Sequence, residues 1–346
     1  MSKHLWSRGI VMVVIALMCG SAMLGAHEIG TTRVTVRFPS DDTFRIEVTT
    51  DAQALLEKVG EHSFLDWVVI KLDGHVITPS VQTVVAPPVD EASSAIATVT
   101  LIGQVPPGAH QLTWNYGWTF STYSLAFEQR DGRSRTQWLE GGEDSAPIQV
   151  NATLEAASRA SVVWQYLGLG FTHIIPKGLD HILFVLGLFL LSGRSGRQGT
   201  LVWQVSAFTL AHTLTLGLAM NGIVAARPSI VEPLIALSIA YVAVENVFSM
   251  RLRPWRVALV FAFGLLHGLG FAGVLGELGL PPGQFIPALL AFNLGVEGGQ
   301  LTVIAAAALA VGWWRTAPFY RQRIVVPASL AIACVAIYWT AQRIGI

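Results

Sequence analysis

Long apolar runs in the second half of the chain constrain its fold more than any other feature. Six such runs follow residue 160, at about 163–192, 200–220, 230–250, 255–277, 285–312 and 324–342. A helix of about 20 apolar residues is long enough to cross the hydrocarbon core of a bilayer. Charged residues make up only 13% of the chain, whereas a soluble domain is usually about 25% charged. We therefore expect a membrane protein in which residues 159–346 form a bundle of about six transmembrane α-helices.

The first apolar run is too long for one straight helix across a bilayer. Pro176 stands inside this run, and proline interrupts the hydrogen bonding of a helix. We expect it to divide the run into a short first helix and the main span.

The segment before the apolar runs, residues 27–158, has ordinary polarity. Apolar and polar residues alternate in "TTRVTVRF" and "FRIEVTTD", which is the period of a β-strand. Asp73-Gly74 and Asp131-Gly132 stand where tight hairpin turns are expected. Several such short strands predict a secreted all-β domain, an immunoglobulin-like sandwich.

The first 26 residues resemble a secretory signal peptide. Lys3 and Arg8 precede the apolar stretch "GIVMVVIALM", and small residues follow it. Cleavage after Ala26 would leave the β domain outside the cytoplasm, whereas the alternative is an uncleaved anchor helix.

Arginines are unevenly distributed between the loops that join the apolar runs. The loops "GRSGR", "RLRPWR" and "WWRTAPFYRQR" contain nearly all of these arginines, and the opposite loops contain only Arg227. Cytoplasmic loops carry the excess of positive charge in membrane proteins. The distribution predicts a protein of the bacterial inner membrane with an extracytoplasmic N-terminal domain.

Polar residues inside the apolar runs are candidates for a functional site. An ionisable side chain near the bilayer centre costs at least about 2.5 kcal/mol on insertion scales, so it usually faces a partner or an aqueous path. Several lie at similar depths on different helices, which allows them to meet inside the bundle. The candidates are His173, Asp180, His181, His212, Glu245, His267, Asn293 and Glu297.

Imidazoles combined with carboxylates suit a divalent transition metal ion. Imidazole favours nickel, cobalt, copper and zinc, whereas magnesium and calcium prefer oxygen ligands. Only Cys19 and Cys334 carry thiols, so a cysteine-based site within one chain is excluded. The candidates taken together predict a metal path through the membrane domain.

Each candidate also has a purely structural interpretation. A single histidine inside a bundle, such as His212 or His267, often forms a hydrogen bond between helices. Asp180 beside His181 is compatible with a buried structural pair. Glycines such as Gly268 and Gly295 favour close packing of helices.

Five motifs resemble the HupE/UreJ family of bacterial membrane proteins, in the longer branch that has a secreted β domain. They are "GFTHIIPKGLDHILFVLGLFLL", "FTLAHTLTL", "VEN", "FGLLHGLGFA" and "FNLGVEGGQL", which together cover about residues 160–305. The resemblance implies a metal permease or accessory protein, typically one that supplies nickel for hydrogenase and urease. It also implies that His173, Asp180 and His181 are transport residues.

The N-terminal domain has its own candidate metal ligand. Cleavage after Ala26 would make His27 the first residue, and its terminal amine and imidazole together bind copper well. His62, His75 or His110 would complete such a site. The alternative is that His27 is only the residue that follows a cleavage site.

Three functions remain open at this stage. The first is a permease for the metal, and we expect no enzyme activity in that case. The second is an intramembrane metalloenzyme with Glu245 or Glu297 as a base, although H-E-x-x-H is absent. The third is an assembly factor that binds a secreted or membrane metalloenzyme. The zero formal net charge gives no support for a nucleic-acid partner, and no phosphate-binding loop indicates a nucleotide.

Overall fold

The computed structural model divides the chain into two compact units, one containing the β-strands and the other the helices. It describes residues 32–40, 42–52, 55–56, 62–86, 96–117, 123–129, 134–150, 158–192, 198–249, 255–278 and 283–344. The predicted signal peptide and His27 lie outside these residues. The predicted domain boundary at residues 158 and 159 stays a prediction.

The β unit contains two sheets. Its strands are β1 Arg33–Ser40, β2 Thr43–Asp51, β3 Val68–Leu72, β4 His75–Ile77, β5 Ser80–Ala86, β6 Ile96–Gln104, β7 Gln111–Tyr116, β8 Tyr123–Glu128, β9 Ser134–Leu139 and β10 Ile148–Gln149. The first sheet has the order β5-β6-β2-β1-β8-β9, and the second has the order β10-β7-β3-β4. Strands β1 and β8 pair in parallel, and the other named pairs are antiparallel.

Alternating side chains give the two sheets one shared core. Phe44 and Ile46 of β2 are buried in the same cluster as Ile70 of β3 and Trp114 of β7. Arg45, which stands between the two buried residues of β2, is exposed. The β-rich N-terminal region is confirmed, while the immunoglobulin-like topology stays a prediction.

The hairpin between β3 and β4 turns at Asp73-Gly74, as the sequence predicts. Both residues have positive φ, 47° and 83°, which suits a two-residue hairpin turn. The Asp73 carboxylate accepts backbone hydrogen bonds from His110 and Gln111, and these hold the pKa of Asp73 below its ordinary value. The predicted turn at Asp131-Gly132 lies outside the described residues.

The helical unit contains seven α-helices in the described part of the chain. They are α1 Arg159–Ile174, α2 Leu179–Ser192, α3 Gln198–Met220, α4 Pro228–Phe248, α5 Arg256–Leu278, α6 Phe285–Val311 and α7 Val326–Ile344. A short 3-10 turn and a π-helical turn lie between α6 and α7.

Four helical segments among the described residues are long and apolar enough to cross a membrane. They are Gly199–Met220, Pro228–Phe248, Phe285–Trp314 and Arg321–Ile344. Helices α1 and α2 pass the same test only as a bent pair, which would raise the number to five. The apolar part of α5, Arg256–Phe271, is shorter. The described helices thus support a membrane protein, but the predicted number of six spans is not confirmed.

The first apolar run is broken where the sequence predicts. Helix α1 ends at Ile174 and α2 begins at Leu179, with Pro176 between them. The two helices are bent by 70° relative to each other. Residues at the end of α1 and at the start of α2 can therefore face each other.

Two glycines allow the backbones of α1 and α6 to approach closely. A Cβ atom at Gly170 would overlap the carbonyl of Phe292, and one at Gly295 would overlap the carbonyl of Leu167. The contact places the last turn of α1, which carries His173, against α6.

A similar contact joins α3 and α5. A Cβ atom at Gly268 would meet the backbone carbonyl of His212 and the hydroxyl of Thr215. His267 is the residue before Gly268, so this contact places the turns with His212 and His267 beside each other.

Alanine substitutions in α1 test the contact between α1 and α6. A Cβ atom at Gly168 would meet no other helix within 4 Å in the described part of the chain, so Gly168→Ala should stabilise the helix by up to about 1 kcal/mol. Gly170→Ala should instead destabilise the protein by about 1–3 kcal/mol, because the methyl group overlaps backbone that cannot move freely. Thermal unfolding of the purified protein measures both. Equal effects of the two substitutions would contradict the contact.

Candidate metal site

Three buried histidines in the helical unit form a group that can hold a metal ion. His173 lies in the last turn of α1, His181 in the first turn of α2, and His212 on α3. One ring nitrogen from each lies within 4.8 Å of the others. Their exposed fractions are 7%, 7% and 0%. Among the described residues, this group has the spacing that a metal ion requires.

The break between α1 and α2 brings the first two histidines together. The rings of His173 and His181 have centroids 4.8 Å apart and planes at 67°. The ring of His212 lies 6.3 Å from that of His173 and 5.9 Å from that of His181. The eight-residue spacing would not place two residues side by side on a straight helix, so the bend is what assembles the group.

Asn293 on α6 fixes the orientation of the His212 ring. The Asn293 side-chain N–H donates to the carbonyl of Leu289 at 2.8 Å, so its oxygen Oδ1 faces His212. This oxygen lies 3.0 Å from Nδ1 of His212 and accepts the Nδ1–H hydrogen bond. The lone pair of His212 is then on Nε2, which is available to a metal ion.

The Nε2 atoms of the other two histidines are available to a metal ion as well. Nε2 of His173, His181 and His212 is buried and has no hydrogen-bond partner among the described residues. Buried polar atoms normally have a partner, and each exception requires an explanation. A metal ion bound by the group would supply a partner of this kind.

His267 lies beside the group but outside it. Its ring centroid is 4.9 Å from that of His181. The hydroxyl of Ser238 donates to the carbonyl of Ile235 and lies 3.3 Å from Nε2 of His267. It therefore accepts the Nε2–H hydrogen bond, and Nδ1 of His267 carries the lone pair. This nitrogen is buried without a hydrogen-bond partner in the described part of the chain.

Phenylalanine rings surround the imidazoles. The Phe271 ring lies 4.1 Å from the His173 ring, between centroids, and stacks on Phe292 at 5.1 Å. The Phe208 ring contacts both His181 and His267. Electrostatic interactions are stronger in such apolar surroundings than in water, so a ligand ion would interact strongly with the few polar atoms present.

Asp180, a predicted ligand, forms an ion pair instead. Its Oδ2 accepts a hydrogen bond of 2.8 Å from Nη2 of Arg343 on α7. Arg343 also donates from Nη1 to the main-chain carbonyl of Glu232 on α4. Asp180 is therefore adjacent to His181 in sequence but outside the group of three histidines.

The two glutamates that the sequence predicts as ligands interact with other residues. Glu245 on α4 forms an ion pair of 3.5 Å with Arg256, which is almost completely buried. Glu297 on α6 accepts a hydrogen bond of 2.6 Å from Ser206 on α3.

The structure thus brings together His173, His181 and His212, with Asn293 and His267 in contact with them through hydrogen bonds or ring packing. It does not bring Asp180, Glu245 or Glu297 into the group.

Sequence reasoning misses the arginine partners. The pattern of charges assigns Arg256 only to a cytoplasmic loop, and it singles out no role for Arg343. Arg343 stands in the last turn of α7, just after the final apolar run. Arginines near helix ends usually extend toward the membrane interface, so the local pattern does not indicate its partner Asp180.

The geometry suits a cation that prefers nitrogen ligands. Three neutral imidazoles are a common ligand set for zinc, with a fourth position left open. Nickel, cobalt and copper also favour imidazole.

The role of Asn293 is testable by substitution. Asn293→Leu should lower the affinity for Ni²⁺ by about 10–100-fold, because loss of a hydrogen bond that orients a ligand has effects of this size. Asn246→Leu is the matched control, since Asn246 is as deeply buried and donates to the carbonyl of Gly187. Equilibrium dialysis of the purified variants measures the affinity. The same affinity in both variants would contradict the role of Asn293.

Comparison with protein families finds one match for the helical part of the chain. The model of the family described as "HupE / UreJ protein" matches residues 149–343. The match starts before α1 and ends in the last turn of α7, so it includes every residue of the histidine group. A search of curated proteins and a search of solved structures gave no match. The family is associated with nickel or cobalt transport and with maturation of urease or hydrogenase. The resemblance noted from the motifs is confirmed, and the chain belongs to the HupE/UreJ family.

Proposed function

We propose that the protein is a membrane permease or accessory protein for a divalent transition metal, and that His173, His181 and His212 bind the cargo. The observation that carries this proposal is the convergence of three buried imidazole nitrogens within 4.8 Å. Membership of the HupE/UreJ family supports it. Nickel and cobalt are favoured by the family, while copper and zinc fit the same nitrogen ligands.

A polar strip between α3 and α6 supports a route away from the histidines. His212 pairs with Asn293, Ser206 donates to Glu297, and Thr209 donates to Gln300. Ser206 precedes His212 by six residues, or about 9 Å along a helix. We propose that the cargo passes from imidazole ligands to the oxygen groups of this strip and then leaves the bundle.

We propose that the cargo moves inward. With a cleaved signal peptide, six spans and an extracytoplasmic β domain, the strip leads from the histidine group toward the cytoplasmic end of α3. The membrane potential favours entry of a cation by about 2.3 kcal/mol per charge per 100 mV. Inward movement therefore requires no nucleotide.

Two other functions stay open as hypotheses. A metalloenzyme would require a base at the metal, and among the described residues the carboxylates of Glu245 and Glu297 interact with Arg256 and Ser206 instead. An assembly factor would use the β domain to bind a metalloenzyme. The copper site at His27 also stays a hypothesis.

The cellular metal content tests the proposal. Cells that lack the protein should contain less of one metal among nickel, cobalt, copper and zinc. Wild-type protein should restore that metal, whereas His181→Ala should not, although an immunoblot finds it in the membrane. The physical reason is that two imidazoles cannot replace three in an apolar site.

His75→Ala separates this proposal from the copper site of the β domain, because His75 is an exposed residue of β4 and one of the histidines that would complete that site. It should restore the metal content fully. If His75→Ala fails and His181→Ala succeeds, the decisive ligands lie in the β domain. If no metal changes in cells without the protein, the permease proposal is wrong.

A further inference from the structure

We propose that Arg343 determines which metals the histidine site accepts, by holding the Asp180 carboxylate away from the cargo. This inference rests on the proposed function, because it concerns the selectivity of the same site. It assigns Asp180 a different role from that of a permanent ligand.

Arg343 holds Asp180 from a fixed position. One guanidinium nitrogen donates to Oδ2 of Asp180 at 2.8 Å, and the other donates to the main-chain carbonyl of Glu232 at 3.1 Å. The guanidinium also lies 5.7 Å from the ring centroid of Trp339, one turn earlier on α7. The group is planar and always charged, and contacts with three elements of the helical unit limit its movement.

The ion pair is shielded from water. The side chains of Arg343 and Asp180 are 14% and 13% exposed. Hydrogen bonds between charged groups are about twice as strong as neutral ones, and the low exposure reduces screening by salt. Asp180 therefore stays with Arg343 unless a stronger partner replaces the guanidinium.

Asp180 nevertheless has the chemistry and location of a possible ligand. It directly precedes His181 in the first turn of α2, so their Cα atoms are about 3.8 Å apart. Its second oxygen, Oδ1, is buried without a hydrogen-bond partner among the described residues. In this proposal, the loss of Arg343 frees the carboxylate to approach the histidines.

The identity of the ligands determines the selectivity. Three imidazoles without a carboxylate favour nickel, cobalt, copper and zinc. A carboxylate oxygen would improve the binding of harder ions such as manganese and magnesium. Arg343 thus disfavours hard cations in two ways, since it withholds the oxygen ligand and places a positive charge nearby.

A purely structural role for the ion pair makes a different prediction. Arg343 connects α7 with α2 and α4, so its removal would lower stability under either interpretation. Only the selectivity role predicts a change in the preference between metals, and only that role predicts that removing Asp180 as well restores the preference.

The experiment compares Ni²⁺ and Mn²⁺ binding to the purified full-length protein by equilibrium dialysis. The ratio of the two affinities should fall by about tenfold or more in Arg343→Gln. It should stay near the wild-type value in Arg343→Lys, in Asp180→Asn and in the double variant Arg343→Gln/Asp180→Asn. Arg323→Gln is the matched control, since Arg323 is exposed and contacts Phe319.

The outcomes separate this inference from the proposed function. An unchanged ratio in Arg343→Gln would overturn the inference, while loss of Ni²⁺ binding in His181→Ala would still support the metal site. A failure of the wild-type protein to bind Ni²⁺, Co²⁺, Cu²⁺ or Zn²⁺ would overturn both.

The inference stays testable if the Arg343→Gln substitution impairs folding. If Arg343→Gln cannot be purified, the ratio of Ni²⁺ to Mn²⁺ binding is measured in isolated membranes that contain this variant, and membranes without the protein give the background. A loss of Ni²⁺ affinity of about tenfold or more in Asp180→Asn, with an unchanged unfolding temperature, would show that Asp180 is a ligand and overturn the inference.

Discussion

Polar side chains inside an apolar helix bundle need partners, and this requirement organises the helical unit. An unpaired polar group in apolar surroundings is unfavourable by several kcal/mol, and an unpaired charge by more. Asp180 is paired with Arg343, Glu245 with Arg256, and His212 with Asn293. Among the described residues, the Nε2 atoms of the histidine group are buried without a hydrogen-bond partner, as are Oδ1 of Asp180 and the guanidinium nitrogens of Arg256. The histidines differ from these ion-paired groups because their neutral nitrogens have lone pairs for a cation.

Backbone geometry positions these histidines. The break at Pro176 lets residues from α1 and α2 face each other across a 70° bend. Gly170 and Gly295 allow α1 to contact α6, and Gly268 allows α5 to contact α3. Pro176 and these glycines therefore position the site, although their own side chains bind no metal. Changes at these positions act on the metal site through the distances between the helices.

The sequence predicts strand periodicity and the helix break well but does not predict which helix faces meet. The β-rich N-terminal region, the break at Pro176 and the intramembrane histidines as candidate ligands are all accessible from local pattern. The pairing of Asp180 with Arg343 joins residues 163 positions apart, and no local signal specifies it. The parallel pairing of β1 with β8 is another long-range feature of this kind. Glu245 and Glu297 fit the site by residue type, but Glu245 forms an ion pair with Arg256 and Glu297 accepts a hydrogen bond from Ser206.

These contacts separate two kinds of polar residue in the helical unit. Ion pairs such as Asp180 with Arg343 neutralise charge within the bundle, while neutral imidazoles remain available to the cargo. A site of this kind selects a cation by its preference for nitrogen rather than by net charge. This distinction gives the acidic residues of the family motifs a role that does not require contact with the metal.

X-ray absorption spectroscopy of the purified protein loaded with Ni²⁺ would show whether the three histidines bind the metal. Imidazole ligands give characteristic scattering from the outer atoms of the ring. We expect nitrogen ligands with scattering from three imidazoles, reduced in the His212→Ala protein and unchanged in the His75→Ala protein. A spectrum dominated by oxygen ligands without imidazole scattering would show that the histidines do not bind the metal.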